Sequence, residues 1–175
     1  PEIIDVGPEI FELEGYQSRR IRLARGVDSV SEDSHPRHGN FAALARLRAV
    51  HEGGVQTAGN SCAVVDGAAA ALVGSASASR NTPLALLRAS AVVGVAPEFM
   101  GIGPAPAIRL LAQRSGLSLD QIDRFEINEA QAAQVLAVAQ ELALDCTRLN
   151  VRGGSLALGH PLAASGLRLV LTLSR

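Results

Sequence analysis

The spacing of apolar and polar residues divides the chain into a mixed first stretch, a turn-rich middle and an alternating second half. Ile3, Ile4 and Val6 form a short strand-like run, followed by a charged stretch from Glu9 to Asp33 with few apolar positions. Asn40 is placed to cap a helix whose apolar face is Phe41, Leu44, Leu47 and Val50. Turn signals then cluster at Gly53-Gly54, Gly59-Asn60 and Asp66-Gly67. Ala68–Val73 is too short to choose between strand and buried helix. Ser75–Thr82 is small and polar and makes the best internal boundary.

Beyond it, Leu84–Val95 is an apolar run broken by Arg88 and Ser90, and it reads as a buried strand. Pro104 or Pro106 opens a helix carrying Ile108, Leu111 and Ala112 on one face, with Gly116 as its stop. Ile122–Ile127 reads as a strand. Ala130–Leu144 reads as a helix, with Val135, Leu136, Ala139 and Leu142 at helical spacing. Leu156–Leu158 is strand-like between glycines, and a further helix begins after Pro161. Strands alternating with helices predict an α/β fold.

Composition narrows the function. Of the 175 residues 47% are hydrophobic but only 3% aromatic, so aliphatic side chains fill the core and few rings are free to stack on bases or sugars. The net charge of −1 supplies no field for nucleic acid or an anionic membrane surface, and neither is expected as a partner. All 16 basic residues are Arg. Cys62 and Cys146 form no metal or redox motif, so no metal site is expected and a reducing, cytoplasmic setting is the default. No apolar run approaches a membrane span, which predicts a soluble protein. The chain opens on Pro1 and stops inside the apolar pattern Leu167, Leu169, Val170, Leu171, Leu173, so both ends read as cut.

The most informative segment is Asn150-Val-Arg-Gly153-Gly154-Ser155-Leu-Ala157-Leu-Gly159-His160-Pro161-Leu-Ala163-Ala-Ser165-Gly166. Its glycines flank a short apolar run, and a His stands where that run ends. Pro161 restricts the backbone of His160. A His at a strand end, beside the start of a helix, is where open α/β sheets place reactive groups. Imidazole there can move protons or donate to a developing oxyanion. Taken alone, His160 would read as a hydrogen-bonded turn residue; the pattern around it favours the reactive reading.

That pattern resembles the thiolase family, whose motif runs Asn-x-x-Gly-Gly, then Gly-His-Pro, then Ser-Gly. Asn128-Glu129-Ala130 looks like the family's Asn-Glu-Ala-Phe box, and Met100-Gly101-Ile102-Gly103-Pro104 like its Met-Gly-x-Gly-Pro loop. Thr57-Ala58-Gly59-Asn60-Ser61 and His35-Pro36-Arg37 are similar to further family segments, in the same order. The resemblance implies a layered αβαβα thiolase-like fold, present in part. Residues 1–52 would end the loop domain, 53–82 would close the first α/β domain, and 83–175 would form most of the second. It implies thiolytic cleavage of a 3-ketoacyl-CoA, or the reverse Claisen condensation. Acyl-CoA and CoA are the partners, CoA being a substrate with no separate cofactor. A homodimer or homotetramer is expected of the full-length parent.

By motif match, His160 would activate a thiol and donate to an oxyanion, and Asn128 would hold a water as the partner donor. Asn128 also reads as a cap for the helix starting at Ala130. Met100, Cys62, Gln131, Ala130 and Gly159 would line the substrate. For Met100, plain loop packing is the competing reading. The family's nucleophilic Cys falls before residue 1 and its acid/base Cys after residue 175. Cys62 and Cys146 match neither, and both also read as inert structural thiols. Gln131 replaces the Phe of the box, Ala163 replaces a Gly after Gly-His-Pro, and Gly74–Pro83 is a shortened connection. Two other readings stay open: a pseudo-enzyme or CoA-binding module without thiolysis, and a ketoacyl-synthase-like relative.

Overall fold

The Asn40 side chain starts the first helix as its residue type dictates: its Oδ1 accepts from the Ala43 amide at 2.8 Å. The helix, α1, is a single turn, Phe41–Leu44. In the computed structural model the described residues are 39–75 and 82–175, with residue 77 and a few positions between 26 and 36. The chain divides into two compact units, Pro1–Arg37 and His38–Arg175. The run Ile3, Ile4, Val6, most of the charged stretch to Asp33, Arg37 of the His-Pro-Arg segment and most of 76–81 lie outside the described residues.

Pro104 opens α2, Pro104–Ser115, and Gly116 ends it in the left-handed region at φ 70°. Proline suits the first turn because its missing N–H would have no partner there. The helical spacing of Val135, Ala139 and Leu142 gives α3, Ala132–Glu141, shorter at both ends than the sequence predicts. Leu142 caps the helix, and Ala143 turns to φ 51°. Two short helices follow the pattern's last part: α4, Ser155–Leu158, and α5, Ser165–Leu173. Among the described residues, no helix is long and apolar enough to cross a membrane.

The core lies between α2 and α3. Ala105, Ile127, Val135, Val138 and Leu142 are buried together, with Ile102, Ile108, Leu119, Leu144 and Leu149 packed on them. Val138 is fully buried, which contributes about 1.5–3 kcal/mol relative to exposure. Leu136, placed on this face by the sequence pattern, points out instead; the inward positions are 135, 138, 139 and 142. Arg109 reaches from α2 to Glu141 on α3, donating to its carboxylate and its carbonyl, both at 2.8 Å. This exposed pair adds little to stability.

The predicted strands fare differently. Ile122–Ile127 is extended and makes one parallel bridge, between Phe125 and Leu149. Phe125 N–H donates to Arg148 O, and Asn150 N–H to Phe125 O, each at 2.9 Å. Leu84–Val95 is neither buried nor laddered: Leu84, Leu87 and Val92 are exposed. A strand exists only as a pair, and among the described residues no extended segment ladders with this one. Ala68–Val73 is neither strand nor buried helix but exposed, irregular backbone. Leu156–Leu158 is helical, within α4. The reason lies elsewhere in the chain: the Leu156 N–H in the first turn donates to Glu129 Oε2 at 3.0 Å, which satisfies a helix-end donor that an extended run would not present there.

Candidate active site

An extended strap, residues 60–67, lies across two loops: Asn128–Gln131 ahead of α3, and 159–164 between α4 and α5. Ala132 N–H donates to Asn60 O at 2.9 Å, and Cys62 N–H to Ala130 O at 3.1 Å. Ser61 and Gln131 form an antiparallel bridge. Further along, His160 N–H donates to Ala63 O at 2.8 Å. Gly159 packs so closely on Val65 that a Cβ would lie 2.5 Å from its methyl carbon, and its φ of 83° also favours glycine. The strap is itself anchored by Asn60, whose Oδ1 accepts from Thr57 N–H at 2.7 Å and whose Nδ2 donates to Val55 O at 2.8 Å. The turn-forming residue types at Thr57–Asn60 thus fix the entry to the site.

A second clamp centres on Glu129. Its Oε1 accepts from Asn150 Nδ2 at 2.7 Å, while its Oε2 takes the α4 amide already described. The Asn150 amide is fully used: its Oδ1 accepts from Ile127 N–H at 2.8 Å and its Nδ2 also donates to Ile127 O at 2.9 Å. Asn150 sits at φ 48°, a conformation Asn tolerates better than most residues. Gly154 lies against the Glu129 carboxylate, where a Cβ would come within 2.2 Å of Cδ.

Between these clamps stand Asn128 and His160. Asn128 Nδ2 is 3.4 Å from His160 Nε2. Ser155 Oγ donates to Asn128 Oδ1 at 2.7 Å, and Arg168 Nη2 donates to Ser155 Oγ at 3.4 Å. On the other side of the ring, His160 Nδ1 is 2.6 Å from Ser165 Oγ. Ser155 and Ser165 are buried, while Asn128 and His160 are half-buried. Burial holds the Glu126 carboxyl above the usual carboxylate range; Glu129 adds to this, while Arg168 and Arg152 oppose it. Among the described residues, no three His, Cys, Asp or Glu side chains gather as a metal site.

Asn128 Nδ2 carries a second N–H beside the one within reach of His160 Nε2, so a donor remains for an oxygen brought up to the pair. An imidazole there can accept a proton and then return it as a donor.

The structure therefore brings together six of the seven residues singled out from sequence: Asn128, His160, Cys62, Ala130, Gln131 and Gly159. Met100 stands apart from this network, exposed in the 3-10 turn Pro97–Ile102, which packs on α3. Asn128 is not a helix cap; that position in α3 belongs to Gln131, whose side chain makes no capping bond. Nor does His160 follow a strand, since α4 precedes it. Gln131 lines a hollow of about 150 Å³ with His51, Val55 and Gln56. Ala163 does not have a positive φ, so the methyl group replacing a glycine hydrogen is unstrained there. Sequence reading gave no role to Ser155, Arg168, Glu129 or Asn150. Asn150 and Glu129 stand inside the quoted motifs; for Ser155 and Arg168 the signal was a polar residue embedded in an apolar or Gly-rich run.

A sequence profile for the thiolase C-terminal domain matches residues 81–175, more than half of the chain. The chain belongs to the thiolase family. It is 47% identical over 159 residues to a β-ketoadipyl-CoA thiolase of Pseudomonas aeruginosa, covering 87% of this chain and 40% of the relative. It resembles the crystal structure of the Bacillus anthracis acetyl-CoA acetyltransferase with a TM-score of 0.81 and 40% identity, covering 88% of this chain and 40% of that one. It also resembles human mitochondrial 3-ketoacyl-CoA thiolase in complex with CoA, with a TM-score of 0.76 and 39% identity, over 83% and 38% of the two chains. The fold is thus thiolase-like, in part: the chain spans about 40% of the length of the relatives it matches. The thiolase profile takes in Asn128, His160 and all of α2 to α5, while the strap lies outside it.

Proposed function

We propose that this chain supplies the oxyanion-binding and proton-handling side of a thiolase site, in a protein that cleaves 3-ketoacyl-CoA with CoA or runs the reverse condensation. The carrying observation is the convergence of Asn128 Nδ2 and His160 Nε2, held on opposite sides by Ser155 and Ser165. In this reading His160 Nε2 takes the proton of a thiol nucleophile, and as imidazolium it donates to the oxyanion that follows. Asn128 holds a water as the second donor without titrating. Donors fixed in advance of the charge each lower the barrier by a few kcal/mol.

Cys62, Ala130, Gln131 and Gly159 face the substrate in this reading, supported by their meeting around the strap. Met100 joins them on the motif alone. The Gln131 side chain offers an amide where the family box has a ring, which favours acyl groups able to hydrogen-bond near the hollow. CoA acts as substrate, and no further cofactor, metal or nucleic acid enters. Homo-oligomeric assembly, the cytoplasm and the division at residues 52 and 82 belong to the same proposal.

The test is a chimera. Residues 39–175 replace the matching part of the Pseudomonas aeruginosa relative. The expected result is thiolysis, reduced by about 100-fold or more by His160→Ala. A folded chimera without thiolysis, beside an active parent, overturns the reading. CoA binding by such an inactive chimera would point instead to a CoA-binding module without thiolysis.

A further inference from the structure

The geometry points to Ser155, backed by Arg168, as a positioning residue that turns Asn128 so that His160 is held as the Nδ1–H tautomer, with Nε2 left as the free base. The inference rests on the functional reading above only for its consequence, since the tautomer exists with or without a substrate.

The polarity of the relay is set at one end. A guanidinium has donors and no acceptor, and it stays charged at any working pH. Arg168 Nη2 at 3.4 Å therefore makes Ser155 Oγ an acceptor on that side. Ser155 is fully buried, and its one proton goes to Asn128 Oδ1 at 2.7 Å. That occupies the carbonyl end of the Asn128 amide and leaves its NH₂ end toward His160. An NH₂ can only donate, so Nε2 must carry a lone pair. In a neutral ring the proton then sits on Nδ1, where Ser165 Oγ accepts it at 2.6 Å. Ser165 is itself buried.

The donations thus run one way: Arg168 to Ser155, to Asn128, to His160, to Ser165. Removing Ser155 frees the Asn128 amide to turn over. Its carbonyl would then accept from an Nε2–H, and Ser165 would donate to Nδ1. In that reversed state Nε2 already holds a proton and cannot take one from a thiol. The side chains of the site would be unchanged in kind, and only the direction of the relay would differ.

The experiment is nitrogen NMR of the full 175-residue chain labelled at its histidine rings, at about pH 8.5, where an ordinary imidazole is neutral. Ring nitrogen shifts separate protonated from unprotonated positions, and His160→Gln identifies the signal. The wild type is expected to hold Nδ1–H over Nε2–H by about tenfold or more, the scale of one buried hydrogen bond. Ser155→Ala is expected to bring the ratio to even or below. Arg168→Met is expected to move it the same way, and Arg168→Lys, still a pure donor, to restore it. Should Ser155→Ala not fold, the Arg168 pair decides. A wild type in the Nε2–H form overturns the inference, as does an unchanged ratio in Ser155→Ala or, if that variant does not fold, in Arg168→Met. An inactive chimera with the expected tautomer would count against the thiolase reading and not against this one.

Discussion

The carboxamide of Asn150 stands 2.7 Å from the carboxylate of Glu129, and this bond ties the loop ahead of α3 to the turn ahead of α4. Both residues lie beside the Asn128–His160 pair without belonging to it. Their work is to fix the backbone from which Asn128 projects, because the same Asn150 side chain grips the amide and the carbonyl of Ile127.

Asn150→Ala is expected to destabilise the chain by about 2–4 kcal/mol, from three lost hydrogen bonds and a left-handed backbone position without an Asn. Asn150→Gly keeps the conformation and loses only the bonds, so it should be the milder of the two. Urea denaturation of both variants measures the difference. Equal losses would remove the backbone contribution.

Gly154→Ala pushes a methyl group into the Glu129 carboxylate, which cannot swing aside without leaving Asn150 and Leu156. A loss of about 2–4 kcal/mol is expected. In a Glu129→Ala background the same change should cost less, since the obstructing carboxylate is gone. A double-mutant cycle reads this coupling directly. Strict additivity would show that the contact does not matter.

Burial raises the Glu126 carboxyl, so folding favours its protonated form. That contribution is fully present below the unfolded value and is lost as pH rises through the raised one. Asp145 runs the opposite way: hydrogen bonds from Thr147 hold its carboxylate low, and the stability it adds is lost as pH falls through that lowered value. Glu126→Gln should therefore raise stability at neutral pH and leave the acid limb almost untouched. Denaturation curves from about pH 4 to 8 compare the two chains. A variant less stable than wild type at neutral pH contradicts the assignment.

The 175-residue chain alone is expected to release no CoA from acetoacetyl-CoA. It carries the Asn128–His160 pair, but by the motif match its two free thiols, Cys62 and Cys146, stand at neither catalytic cysteine position. Turnover that disappears with His160→Ala would refute this.

What could be read in the sequence was whatever a residue does to its own neighbourhood. Asn40 caps, Pro104 opens, Gly116 stops, and the apolar period of α3 finds the core. Leu84–Val95 and Leu156–Leu158 differ from the strands expected of them because an apolar run says that it wants cover, not which element will cover it. The second of these was decided by a carboxylate 27 positions away. Asn128 and His160 were legible because their motifs are long and ordered. Ser155 and Arg168 were not, since a serine and an arginine gain a direction only when folding sets them against a particular amide.

The strap has a kinetic consequence. Its bonds to Ala130, Ala132 and His160 close loops of roughly 70 to 100 residues, whereas α2 and α3 meet across a much shorter span. The helical pair should therefore dock early and the strap late, so that Asn128 and His160 become neighbours only in the last stage of folding. Pulsed hydrogen exchange during refolding should find the α3 amides protected before the amide of His160, and the reverse order would contradict this. On that schedule, chains caught part-way hold a finished core before Asn128 and His160 have met, and the pairing of those two side chains arrives as the closing event of self-assembly.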